Sequence, residues 1–265
     1  MHVFVKSFRI QKAGNAFEEC EDRVYPKVLS GRYGENILSK TSLSFAIADG
    51  ATEGMFSGVW AEILVKTYCR SMNKGAGAFD FLKDAFKAWE SWIKDYLNKR
   101  ERMNRPIQWF EEPGLDAGAF STLLGVTLED SGASNIKRWR AFAVGDCCLF
   151  QIRSNALVYK FPVESSEEFG NRPFLIYSKT KLNEKVLEAF KVAESDCLVG
   201  DVFYLMTDAL ACWFLKEYEA NNLPWNSLSN FIKNIEAFHK WIDRLRDEKS
   251  MRNDDVTLVY IKVTG

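Results

Sequence analysis

Histidine is almost missing from this chain: its 265 residues include two, His2 and His239. His2 lies at the start, and His239 sits in EAFHKWIDRLRDEK, a charge-rich helical stretch. That scarcity argues against a Ser-His-Asp or Cys-His hydrolase and against a histidine-rich zinc centre. The six cysteines (Cys20, Cys69, Cys147, Cys148, Cys197, Cys212) form no CxxC pair. A chain of this length does not need disulfides, so they read as reduced core thiols and the expected compartment is the cytoplasm. No apolar run approaches the roughly 20 residues of a membrane helix. MHVFVKSFRIQKAGN alternates like a strand and lacks the long apolar segment of a signal peptide. A net charge of -1 gives no support to nucleic acid or an anionic membrane as partner. GxGxxG and P-loop motifs are absent as well. If the chain is an enzyme, carboxylates are left to carry the chemistry.

What is present is apolar patterning. Hydrophobic residues make up 47% of the chain, enough for one substantial core. Residues 2–10, 22–29, 43–48, 119–128, 139–144, 148–153, 156–161, 201–207 and 256–263 read as strands, with Pro26 marking the second as an edge. Residues 57–72 carry Val59, Trp60, Ile63, Leu64 and Thr67 at helical spacing, with Ser57 as N-cap. Residues 79–102 form a longer helix striped by Leu82, Phe86, Trp89, Ile93 and Leu97. Residues 209–217 and 228–249 are helical too, while 164–197 yields no clear assignment. The order of elements predicts an α+β arrangement with antiparallel sheets. No linker or repeat divides it, so 1–265 reads as a single domain.

Three carboxylates stand where apolar strands end. Asp49 follows LSFAIA, Asp208 follows VFYLMT, and Asp254 precedes VTLVYI. Singly, each is ordinary turn or cap chemistry, and Asp49-Gly50 is a common turn pair. If the three strands are neighbours in one sheet, with the last antiparallel to the others, the acids meet at one edge. Such acids repel and raise one another's pKa, and a divalent cation removes the conflict. All-oxygen ligation favours Mg²⁺ or Mn²⁺ over zinc. Glu21-Asp22, in EECEDRVY, and Asp146, in AFAVGDCCLF, extend the set, although EECED also reads as a solvated loop.

In this order ECEDRVY, FAIADGATEG, GAFSTLLGVTL, AFAVGDCCLF, FYLMTDAL and NDDVTLVYI resemble the metal-dependent Ser/Thr protein phosphatases of type 2C, as a bacterial-type member. The resemblance implies a four-layer α/β/β/α sandwich with two central antiparallel sheets flanked by helices. It implies two or three Mn²⁺ or Mg²⁺ ions, with Asp49 bridging two of them and the Gly50 carbonyl on one. Glu21, with Asp22 beside it, matches a further acid at the pair. Asp208 and Asp254 match the ligands of the other ion, and Asp146 with Asp208 can hold a third. The catalytic set so implied is Asp49, Glu21, Asp208 and Asp254. Asp255, where the family often has Asn, and Thr122 match supporting positions. The implied reaction is attack of a metal-bridging hydroxide on phosphoserine or phosphothreonine of a protein, with no phosphoenzyme.

Two departures stand out. The family's phosphate-clamping Arg, four residues before the motif Glu, is Phe17 here. Lys12 and Arg9 are the nearby candidates for the substrate phosphate, and both also read as solvated residues. The family's His after Asp-Gly is replaced by Ala51, Thr52 and Glu53. Glu53 or a metal-bound water takes over as proton donor, or Glu53 is only a charge at the helix start. Aryl phosphates, which need less leaving-group help, are then expected to be the better substrates. Arg172 lies where the family often inserts a flap, and reads as a phosphate contact or as a plain loop arginine. Two alternatives remain: a catalytically weak or inactive relative that binds phosphoproteins, and a phosphoesterase acting on small molecules.

Overall fold

Strands whose neighbouring side chains are both apolar must bury both faces, since successive side chains point to opposite sides. The computed structural model, which describes residues 1–51, 54–75, 80–130, 132, 137–170, 172–179 and 188–265, has that arrangement. In chain order the strands are β1 (His2–Ile10), β2 (Arg23–Tyr25), β3 (Tyr33–Ser39), β4 (Ser42–Ala48), β5 (Phe120–Ser121), β6 (Leu123–Glu129) and β7 (Lys137–Val144). They continue as β8 (Cys148–Arg153), β9 (Ala156–Phe161), β10 (Ile176–Tyr177), β11 (Lys191–Cys197), β12 (Val202–Met206) and β13 (Val256–Val263). The helices are α1 (Ser57–Met72), α2 (Asp80–Arg102), α3 (Glu112–Ala117), α4 (Asp208–Glu219), α5 (Pro224–Phe231) and α6 (Ile235–Asp247).

Two antiparallel sheets, ordered β3-β1-β13-β12-β8-β9 and β11-β7-β6-β4-β2, pack face to face. Val5, Phe45, Val126, Trp139, Phe203 and Ile261 fill the space between them. The alternate residues of the same strands face outward. Phe8, Phe150 and Met206 meet Phe214, Phe238 and Trp241 of α4 and α6. Ala46, Ala48 and Phe142 meet Trp60, Leu64, Tyr68 and Trp89 of α1 and α2. The result is the expected α+β, four-layer α/β/β/α sandwich. All six cysteines are free, and five are buried.

Some local expectations change. The strand expected over 22–29 ends at Tyr25, before Pro26, and a 3-10 turn follows at Lys27–Leu29. The helix expected over 228–249 is two helices, because the Asn234 side chain accepts the Ala237 amide and starts α6 afresh. Ser57 is not the N-cap of α1. It is the first helical residue, and its hydroxyl donates to the Gly54 carbonyl instead.

Gly125, on the helix-facing side of β6, shows how tight the layers are. A Cβ there would lie within the buried Tyr68 ring. Overpacking of this kind costs typically about 1–3 kcal/mol, and a ring held by two layers has little room to yield. Gly125→Ala is therefore expected to lower stability by about 2 kcal/mol or more in urea unfolding. An unchanged midpoint would show that Tyr68 moves freely.

Candidate functional site

The Asp49 backbone is set by the strand pairing beside it. Its amide donates to Thr122 Oγ1 at 3.0 Å, and its carbonyl accepts from the Thr122 amide at 2.9 Å and from Ser121 Oγ at 2.8 Å. Asp49 is thereby held at the end of β4, half-buried, facing a cleft of about 510 Å³. Gly50 is a steric necessity. A Cβ there would come within 2.8 Å of the Ser57 backbone, so the start of α1 packs directly on this residue. Its expected role as a carbonyl ligand is separate from that cause.

Asp146 and Asp208 line the same cleft as Asp49, together with Thr122, Arg172 and Arg252. Asp146 sits in the turn joining β7 to β8, one of the links between the two sheets. Gly145 before it has φ +95°, and a Cβ there would press on Thr122. Asp208 opens α4, with Oδ1 accepting the Ala209 amide at 2.6 Å. Asp254 precedes β13, with Oδ1 accepting the Asp255 amide at 2.9 Å. The condition that the three strands be neighbours in one sheet is met for two of them only. Asp208 and Asp254 belong to the antiparallel neighbours β12 and β13, whereas Asp49 comes from the opposing sheet. Convergence is therefore across the sandwich.

Asp22 is fully buried. Its Oδ2 accepts from Thr207 Oγ1 at 3.0 Å, and its Oδ1 has no partner. Burial, and then the nearby Asp255, push its carboxyl up to about 7. Burial also raises Asp49 well above the usual carboxylate range, reinforced by Asp22, Asp254, Asp146 and Asp255. Asp146 is raised by burial too, and its Oδ1 is likewise buried and unpaired. Asp255 is wholly engaged with backbone. Oδ1 takes the Lys12 amide at 2.8 Å and Oδ2 the Glu21 amide at 2.7 Å, tying both segments to β13. Glu21 is thus carried beside Asp22, half-buried.

The phosphate candidates fall differently. Arg9 is buried, donates to the Ser30 carbonyl, and lies over the Phe17 ring at 4.7 Å. Exposed Arg32 lies over the same ring at 4.5 Å. Lys12 meets the acid cluster through its amide. Arg172 lines the cleft itself. Glu53 and Thr52 lie outside the described residues. Sequence reasoning missed Arg252, whose guanidinium pairs with Asp208 and reaches Asp254 Oδ2 at 3.5 Å. Its nearness to the acids in RNDD was the available signal. It also missed Arg246, half-buried behind the site, which donates to the Asp254 carbonyl at 2.6 Å.

Among the described residues, no three acidic, histidine or cysteine side chains stand close enough to form a closed ligand set as they are. The donors nonetheless suit a hard divalent cation. They are all oxygen, two are buried and unpaired, and the acids outnumber the two arginines, Arg172 and Arg252, that line the cleft with them.

A sandwich of this kind with acids from both sheets at one mouth defines a class, and comparison with known proteins names it. The Protein phosphatase 2C family model matches residues 32–255, so this chain belongs to that family. Its fold resembles the serine/threonine phosphatase PstP/Ppp of Mycobacterium tuberculosis at 16% identity and TM-score 0.57, covering 100% of both chains. The catalytic domain of PstP solved with two manganese ions matches at 16% identity and TM-score 0.53, again over 100% of both chains. The photosystem II phosphatase PBCP matches at 13% identity and TM-score 0.57, over 99% of both chains. No curated protein matches this sequence.

Proposed function

We propose that this chain, as a single domain over residues 1–265, is a metal-dependent protein phosphatase acting on phosphoserine and phosphothreonine. One observation carries the reading: carboxylates from both sheets, Asp49, Asp146 and Asp208, face one cleft that also holds Arg172. The residues that would hold two or three Mn²⁺ or Mg²⁺ ions are Asp49, the Gly50 carbonyl, Glu21, Asp22, Asp146, Asp208 and Asp254. Such ions supply an activated water and offset charge on the phosphoryl oxygens.

The chain's own residues supply placement. Thr122 and Ser121 keep the Asp49 carboxyl at the mouth of the cleft. Asp255 ties the Glu21 segment to the start of β13, and Arg246 of α6 holds the Asp254 backbone. Arg172, at the exposed rim, is suited to orient a phosphate by charge-assisted hydrogen bonds. Arg9 and Lys12 remain candidates for a longer-range attraction. In the reaction water adds to phosphorus as the bond to the seryl or threonyl oxygen breaks, and that oxygen takes up a proton. Six free thiols suit a reducing compartment such as the cytoplasm. Among the described residues no helix is long and apolar enough to cross a membrane.

The test is hydrolysis of p-nitrophenyl phosphate and of a phosphothreonine peptide with Mn²⁺, with Mg²⁺ and with EDTA. Turnover is expected with either ion, absent in EDTA and restored on adding metal back. A folded protein that turns over neither substrate would favour the phosphoprotein-binding alternative.

A further inference from the structure

Asp208 and Asp254 are arranged alike. Each spends Oδ1 on the amide of the next residue and turns Oδ2 toward one guanidinium, that of Arg252. Arg252 reaches them from the turn after α6. There the Ser250 and Met251 amides both donate to the Leu245 carbonyl, and buried Met251 anchors the loop. The backbone is thus held, whereas the Arg252 side chain is about half exposed, at 49%. Arg252 therefore places a half-exposed positive charge on two acids whose own backbone contacts leave one oxygen each.

We propose that Arg252 is an internal competitor for the cation site. Its guanidinium occupies the Oδ2 atoms of Asp208 and Asp254, and a divalent ion binds there by displacing it. The proposal rests on the metal-dependent reading above. A guanidinium carries one delocalised charge, whereas a divalent ion carries two on a compact centre, so the ion wins once its concentration is sufficient. Because the arginine is solvent-exposed, its hold is modest and displacement is easy. The consequence is a raised threshold of metal concentration for assembling the site. Arg172 lines the same cleft and would remain there when Arg252 swings out.

The experiment is calorimetric titration of Mn²⁺ into the full chain after EDTA treatment and dialysis, comparing wild type with Arg252→Ala and Arg252→Gln. Circular dichroism checks the fold of each. Both variants are expected to bind Mn²⁺ about twofold to fivefold more tightly than wild type, the scale of one partly exposed ion pair. Equal or weaker binding in both overturns the proposal, because the arginine would then be indifferent to the ion or would help hold the acids for it. If Mn²⁺ binds to none of the three proteins, the metal reading of the site itself fails, and the competitor role with it.

Discussion

Asp49→Asn is expected to lower turnover of p-nitrophenyl phosphate about a thousandfold while raising the melting temperature of the metal-stripped protein. The loss follows from position. Asp49 is a carboxylate on which Asp22, Asp254, Asp146 and Asp255 all act, so its charge is felt across the whole cluster. Removing one element of charge stabilisation from such a centre typically costs about 10²–10³ in rate, and a shared metal ligand belongs at the upper end. The gain in stability follows from the same crowding. An amide has nearly the shape of a carboxylate, and the backbone contacts with Ser121 and Thr122 are untouched. What disappears is a charge that burial and four neighbours disfavour. Activity assays and thermal melts in EDTA on the same preparations check both halves. Turnover within about tenfold of wild type would remove Asp49 from the centre of the mechanism. A lower melting temperature would show that its charge is compensated in the metal-free fold.

The second large effect is on pH dependence. In the folded chain Asp22 titrates at about 7, pushed up by burial and by Asp255. An unfolded aspartate titrates near 3.9. A raised folded pKa means the native state holds the proton more tightly. The contribution is fully present below the unfolded value and is lost as pH rises through about 7. At about 1.36 kcal/mol per pH unit of difference, the loss between pH 4 and 8 is on the order of a few kcal/mol, shared between Asp22 and the acids that crowd it. Urea unfolding in EDTA should therefore show wild type losing stability over that window relative to Asp22→Asn. Saturating Mn²⁺ should largely restore it, since a ligand at 100 times its Kd adds about 2.7 kcal/mol. Parallel pH profiles for the two proteins would mean that Asp22 is not titrating alone in the buried cluster.

The fold was legible wherever an element's own burial sets its pattern. β1, α1 and β13 carry the expected bounds because each alternates or repeats against a layer on a known side. β3 and β11 were not legible. Both lie at sheet edges, where exposed residues such as Ile37 and Val192 blur the alternation. The helix expected over 228–249 concealed a break because apolar spacing continues across it. The cap at Asn234 becomes visible only when its side chain is seen to turn back on Ala237.

The candidate site divides in the same way. The strand-end acids, the Asp-Gly pair and their order along the chain are local facts, and by themselves they determined the family resemblance and the oxygen-rich donor set. Their partnerships are not local. Asp22 meets Thr207 across 185 residues, and Asp255 meets the amide of Lys12 across 243. No spacing rule encodes such contacts, because they arise from two sheets closing on a shared core. Tertiary structure alone decided that the acids converge across the sandwich, that α1 requires glycine at position 50, and that Arg252 reaches back from the turn after α6 onto Asp208 and Asp254. Local patterning selects which face each element buries, and only the packed layers determine which buried or half-buried charges must face one another.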